Sequence, residues 1–509
     1  MFKIPSTLIK LIAKIISISP WLSSKVNAFA INGTIKICRH RPHPLSMAHD
    51  YVSWTTLTDQ KWNARHLPPK SLLVQPPLDQ LKELFRRPDG TQQLCKKSTC
   101  LFPAFAQYLT DGFIRTKMDL RSQNTSNHQI DLCTLYGRTQ EQTLLLRKLD
   151  NSQGLKGRLK SQEYKNEEYS PFLYDKAGLI NAEFRELDPP LGIDDHPTLK
   201  NTIFAVGGDR VNSVPQIVMI NTLFLREHNR LARLIETENP SWDDERVFQT
   251  ARNCVIVIFI KVVVEEYINH ISPIPIPFRV DPSVAFNAPW NKPNWITAEF
   301  SLLYRWHSLI PDMIKWNGVP YPVHETFMNN QLLLDTGLAK GFVEISSQTA
   351  GRLGPLNTTD KLLGIEKLAI EQGRQNRFAS YLDYREYVSL SKPKSFSEIS
   401  SNPKVVKILN DLYGTIENVE FYIGLFAEDL MENSPLPPLI LRMVAVDAFS
   451  QALTNPLLSE NVFKPSTFSN IGWEMINGPN LLKDIVARNV SSVINTQLIM
   501  MTRTSWTYQ

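Results

Sequence analysis

The chain has 509 residues, of which 42% are hydrophobic and 21% charged, and a formal net charge of +5. These values describe an ordinary globular protein with ample core, long enough for one large domain with an appendage. Basic and acidic residues are interspersed and no dense basic stretch carries interleaved aromatics, so a nucleic-acid partner is excluded from the expectations.

The N-terminus opens on a basic amphipathic stretch. Lys3, Lys10 and Lys14 fall on one helical face, and Leu8, Leu11, Ile12, Ile15 and Ile16 fill the other. The apolar run is shorter than the about 20 residues a membrane span needs, so residues 1–48 are expected to lie in a bilayer surface, with 49–509 as the main domain. A cleaved signal ending near Ala28-Phe29-Ala30 and a packed helix of the globular body are the alternatives. Arg39-His40-Arg41 suits lipid headgroups. The five cysteines, Cys38, Cys95, Cys100, Cys133 and Cys254, have no metal-type spacing. A local Cys95–Cys100 bridge is open to them, but their scarcity fits a reducing compartment, hence the cytoplasmic side of a membrane.

Residues 55–100 are proline-broken and read as surface connection. Leu101 to Thr116 reads as an apolar helix carrying Gln107 and, four residues on, Asp111; an ion pair of Asp111 with Arg115 is the structural reading of that aspartate. Asn127 to Gly137 is an Asp–backbone turn that enters a helix through Thr139, and 150–200 is loop-like. Ala205-Val-Gly-Gly-Asp-Arg-Val-Asn212 lacks the strand–glycine–helix context of a nucleotide loop. His228 reads as a core or surface histidine rather than a ligand. Asp243 to Ile271 is a long helix, apolar all round at Val255–Ile260 and therefore buried, with Lys261, Glu265 and Glu266 cutting it too short for a span.

Trp295 to Asp312 reads as one helix, capped by Thr297 and stopped by Pro311, which puts Tyr304 and His307 on one face. From the spacing alone, a satisfied core histidine beside a core tyrosine is the commoner case. Further helices are expected at 339–348, 361–376 and 404–412. Strand patterns are short and rare, so the class is mainly α.

The wording of several segments adds a second line. Glu-Phe-Ser-Leu-Leu-Tyr-Arg-Trp-His-Ser-Leu-Ile-Pro-Asp312 closely resembles the proximal-histidine helix of cyclooxygenases and fatty-acid α-dioxygenases, within the animal-type haem peroxidase superfamily. Met47-Ala-His-Asp-Tyr-Val-Ser-Trp54, Gln107 with its helix, Gly208-Asp-Arg-Val, Asn418-Val-Glu-Phe-Tyr-Ile-Gly424 and Asp447 to Phe468 resemble further blocks of that family, in order. The missing disulfide module points toward a bacterial-type relative.

The resemblance implies a large haem-peroxidase helical domain behind monotopic membrane-binding helices, with haem b as cofactor. It assigns His307 to the iron and Tyr304 to the radical that takes hydrogen from a fatty acid, with O2 then adding to give a hydroperoxide. Gln107 matches the distal glutamine, but Asp111 stands where the family has its catalytic histidine. An ordinary aspartate, pKa roughly 3.9, is a poor proton acceptor unless burial raises it, so weak peroxidase turnover is expected. Gly112 replaces a calcium-binding aspartate, so no calcium is expected.

For the fatty-acid carboxylate, Lys36, Arg39 and Arg41 are candidates, while Ile274 replaces the tyrosine that assists the family's anchor. Ile268, Ile271 and Ile274 are expected to line the substrate channel. The serine that aspirin acetylates falls at Ala448 without a gap or at Ser450 with one. The leading expectation is thus a haem-dependent fatty-acid dioxygenase acting with O2 and peroxide at a membrane surface, with a homodimer as a further expectation. A haem peroxidase of small reductants and a non-catalytic haem-binding, membrane-associated protein are the alternatives.

Overall fold

The structure, a computed structural model, describes residues 6–36, 45–46, 61–274, 276–491 and 494–503. It is mainly helical, and its paired strands form two-stranded ladders such as Leu94–Thr99 against Thr349–Gly351. Two helices precede the body: α1 (Ser6–Ile18) and α2 (Pro20–Lys36). α1 buries Ile16 but leaves Leu11, Ile12, Ile15 and Ile18 exposed, and α2 exposes Trp21 and Phe29. On its other side α2 buries Ile31 and Ile35 and is held by polar contacts: Asn27 Nδ2 donates to Arg279 O at 3.0 Å, and Trp290 Nε1 to Asn32 Oδ1 at 2.8 Å. The basic Arg39-His40-Arg41 cluster and the Met47–Trp54 segment lie outside the described residues.

The core is built on α3 (Leu101–Asp111), α4 (Pro215–Glu238) and α5 (Asp244–Val262), which pack on one another. Pro215 starts α4 where a missing N–H costs nothing. The Asp243 side chain accepts from Arg246 N and caps α5. The expected long helix does run on to Ile271, but through a π-helical turn at Val263–Ile268. The stretch Asp244–Ile271 is long and apolar enough to cross a membrane, yet its most apolar window is 78% buried inside the fold. It is a core helix. Glu266, half-buried within it, accepts from Leu482 N at 2.8 Å, and desolvation of its carboxyl raises its pKa to about 7.

Around this core sit α6 (Ala298–Leu303), α7 (Leu363–Gln375), α8 (Phe421–Ala427) and α9 (Pro438–Leu453). α6 packs on α7 and α9, and α9 also receives α2. The helices expected at 339–348, 361–376 and 404–412 are present at Leu338–Ser347, Leu363–Gln375 and Pro403–Tyr413. Cys95 and Cys100 are both free and buried, as are Cys133 and Cys254, so the local bridge does not form.

The glycine-rich segment has a packing role. A Cβ on Gly207 would lie 2.2 Å from Cys133 O and 2.2 Å from Gly137 N, so only glycine lets this loop press against the turn at 133–137. His228 is equally structural. It is fully buried, paired through Nδ1 with Tyr136 Oη at 2.9 Å and through Nε2 with Gly157 O at 2.8 Å. Burial pushes its pKa down to about 3, which keeps the ring neutral.

Candidate active site

The Tyr304–His307 segment is not the single helix that its spacing predicts. Thr297 does cap it, accepting from Phe300 N, but α6 ends at Leu303, Tyr304 leaves helical geometry at φ −101° and ψ 21°, and His307–Leu309 forms a separate 3-10 turn. The break has a packing cause. The Tyr304 and Trp306 rings stack with centroids 4.7 Å apart, whereas residues i and i+2 of a continuous helix point to nearly opposite faces. Ser301 Oγ also donates to Ala298 O, a back-bond that loosens a helix. Tyr304 and His307 nonetheless line the same cavity, of 660 Å³.

The His307 wall is anchored by a carboxylate. Nδ1 of His307 lies 3.0 Å from Oε1 of Glu366 on α7. Glu366 is 2% exposed and also accepts from Tyr422 Oη at 2.5 Å and Thr358 Oγ1 at 3.2 Å. An acceptor at Nδ1 fixes the ring's tautomer and leaves Nε2 as the free ligand atom.

Tyr304 is seated among aromatics, with Phe300 at 4.8 Å and Trp306 stacked on it. Its hydroxyl accepts from Tyr267 Oη at 3.0 Å. Tyr267 belongs to the π-helical turn, and such extra-residue turns redirect side chains at functional positions. Burial pushes the Tyr304 phenol well above its usual pKa, so it stays protonated at neutral pH.

α3 supplies another part of the wall, with Gln107 and Asp111 both lining the cavity. Gln107 Nε2 donates to Ser213 Oγ at 3.2 Å. Arg115 does not pair with Asp111. It makes a two-pronged bond to Asp209 at 3.0 and 3.1 Å, and the guanidinium facing Asp111 is that of Arg210, at 3.6 Å. Burial is the largest influence on Asp111 and raises its pKa to about 6, against the lowering effect of Arg210.

The cavity suits a partly charged prosthetic group. Its volume lies in the usual range for a cofactor site. Among the described residues, four polar atoms of the lining are buried without a hydrogen-bond partner: Asp111 Oδ2, Gln216 Oε1, Arg305 Nε and Trp306 Nε1. Buried groups of this kind normally have partners. A bound molecule with an iron for His307 and polar edges for the rest fits that donor set.

Other expected residues lie elsewhere. Lys36 is exposed at the end of α2, and Arg39 lies outside the described residues. Ile268 and Ile271 are buried in the core and Ile274 is half-exposed; none of the three lines the cavity. Ser450 is buried, donates to Val446 O at 2.6 Å, and borders a separate void of 10 Å³ with Phe300 and Asp447. That void is about the size of one water. A larger cleft of 1260 Å³, bordered by Lys61, Arg252 and Asn455, contains none of the candidate residues that the structure describes.

The model of the animal haem peroxidase family matches residues 84–501. The chain is 31% identical over 471 residues to prostaglandin G/H synthase 2 of Gallus gallus, a match that covers 88% of this chain and 74% of that protein. Among solved structures, the fatty acid alpha-dioxygenase of Arabidopsis thaliana superposes with a TM-score of 0.70 at 14% identity, covering 99% of this chain and 93% of that one. Peroxidase A of Dictyostelium discoideum superposes with a TM-score of 0.68 at 19% identity, over 87% and 95%. At those identities the two superpositions speak to the fold alone.

Proposed function

This chain belongs to the animal haem peroxidase family, whose members are haem oxidoreductases, and we propose that it is a fatty-acid dioxygenase working through a radical on Tyr304. The observation that carries the reading is the shared cavity: a protonated, aromatic-enclosed Tyr304 and a carboxylate-anchored His307 line it together with Asp111. His307 would hold the haem iron through Nε2 while Glu366 accepts the hydrogen bond from its Nδ1–H. Haem, when bound, supplies the oxidising power drawn from peroxide.

The chain's own residues do the rest. Because burial disfavours its phenolate, Tyr304 gives up proton and electron together rather than ionising first. The Tyr267 hydroxyl, donating to the Tyr304 oxygen, holds that oxygen in place before and after oxidation. The Tyr304 radical then takes a hydrogen atom from a fatty acid, regaining its phenol; O2 adds to the carbon radical, and the resulting peroxyl radical takes hydrogen back from Tyr304 to give the hydroperoxide and restore the tyrosyl radical. Asp111, with its pKa near 6, takes the proton of incoming peroxide at neutral pH and returns it to the departing oxygen. This makes the aspartate a better distal base than its residue type implies, and it favours peroxide-driven oxidation of small reductants as the second reading. Leu11, Ile12, Ile15, Ile18, Trp21 and Phe29 form the apolar surface that we assign to a membrane.

The test is oxygen uptake by the haem-reconstituted protein, primed with peroxide, with saturated and unsaturated C18 fatty acids. Uptake with a hydroperoxide product supports the dioxygenase. Oxidation of a phenolic reductant without oxygen uptake selects the second reading, and a haem-loaded protein that does neither overturns both.

A further inference from the structure

The cavity holds a guanidinium that nothing so far employs. Among the described residues, four cationic side chains of lysine or arginine line it: Arg115, Lys117, Arg210 and Arg305. Three of them have carboxylates at hand. Arg115 meets Asp209 at 3.0 Å, Lys117 meets Asp119 at 3.4 Å, and Arg210 meets Asp111 at 3.6 Å. Arg305 has no carboxylate within 4 Å among the described residues. Its polar contact is a long one, Nη2 to Gln372 Oε1 at 3.4 Å, and its Nε is buried without a partner.

A guanidinium carries five donors in a rigid fork, and removing it from water without an anion is costly. The position compounds the cost. Arg305 follows the broken end of α6, between Tyr304 and Trp306, and the neighbouring carboxylate of Glu366 is already committed to His307, Tyr422 and Thr358. A planar, two-oxygen anion entering the cavity matches the fork.

We propose that Arg305 is the receptor for a ligand carboxylate in this cavity. The chemistry has two sources, a propionate of the haem or the carboxylate of the fatty acid, and the site rests on the cavity being the haem site proposed above. It differs from the basic residues near the N-terminal helices, since Lys36 does not line the cavity. A carboxylate held two residues before the iron ligand and one after the radical tyrosine also sets the distance between that anion and the reacting groups.

The experiment compares wild type, Arg305→Gln and Arg305→Lys by absorbance titration with protohaem and with its dimethyl ester, and by calorimetric titration of the haem-loaded protein with stearic acid and with methyl stearate. Circular dichroism confirms that each variant is folded. Loss of one charged hydrogen-bonded partner should weaken binding roughly 10- to 100-fold. Weaker protohaem binding by Arg305→Gln, with the diester unaffected and partial rescue by Arg305→Lys, identifies the propionate as the partner. The same pattern confined to stearic acid identifies the substrate. Equal affinity of wild type and Arg305→Gln for both acids overturns the proposal, as does equal weakening of acids and esters. A wild type that binds no haem at all overturns instead the functional reading on which the site depends.

Discussion

Asp111 offers the sharpest departure from what its residue type predicts. Its pKa is raised from 3.8 to about 6, chiefly by burial. At 1.36 kcal/mol for each pH unit, that rise corresponds to a penalty of about 3 kcal/mol on the ionised form. Because the pKa is raised on folding, the native state binds this proton more tightly than the unfolded chain. The associated stability is therefore present at low pH and lost as pH rises from about 4 through about 6. For catalysis the sign is opposite, since the base works only when ionised. In the haem-loaded protein, kcat/KM for peroxide should fall about tenfold per pH unit below about pH 6 and level off above it. Asp111→Asn removes the base and should lower that plateau by roughly 10²–10⁴-fold while abolishing the slope. Stopped-flow mixing with peroxide between about pH 4.5 and about pH 8 measures both effects. A wild-type profile that is flat over this range, or an Asp111→Asn profile with the wild-type slope, would refute the assignment of Asp111 as the distal base.

Three further substitutions probe separate parts of the site. Glu366→Ala strips His307 of its Nδ1 acceptor and should weaken haem binding by roughly 10- to 100-fold in an absorbance titration; Glu366→Gln, which keeps an acceptor oxygen, should lose less. Tyr267→Phe deletes the hydrogen bond to Tyr304, a loss of about 0.5–1.5 kcal/mol. It should slow oxygen uptake up to about tenfold while haem affinity stays unchanged. Gly207→Ala forces a Cβ to 2.2 Å from two backbone atoms, and should cost roughly 3 kcal/mol or more, read as a fall in Tm of several degrees.

Helix positions were largely legible in the sequence because hydrophobic periodicity and caps are local signals. Thr297, Asp243 and Thr139 each cap the helix that follows them. The break after Leu303 is not legible, because the spacing of Tyr304 and His307 suits a helix, and the Tyr304–Trp306 stack and the Ser301 back-bond that argue against one belong to the folded chain. Glu366 lies 59 residues beyond His307, in an unremarkable helical run, and nothing local marks it as the histidine's partner. Nothing local marks Tyr267 either, since the π-helical turn that aims it has no periodic signature of its own. The place of Asp111 after Gln107 is legible in the sequence, but its pKa depends on burial and on Arg210, which comes from a distant segment. Arg305 was in plain view inside the most telling motif. Its lack of a carboxylate partner is a property of the folded cavity and could not be read from the motif.

The most direct test of the radical role of Tyr304 is electron paramagnetic resonance of the haem-reconstituted protein, freeze-quenched after peroxide, with natural and ring-deuterated tyrosine. A dioxygenase of this kind should give an organic radical whose hyperfine structure narrows on deuteration and whose signal is absent from Tyr304→Phe. An unchanged radical in Tyr304→Phe, with haem bound to the same extent, would contradict the assignment of Tyr304 as the hydrogen-abstracting group.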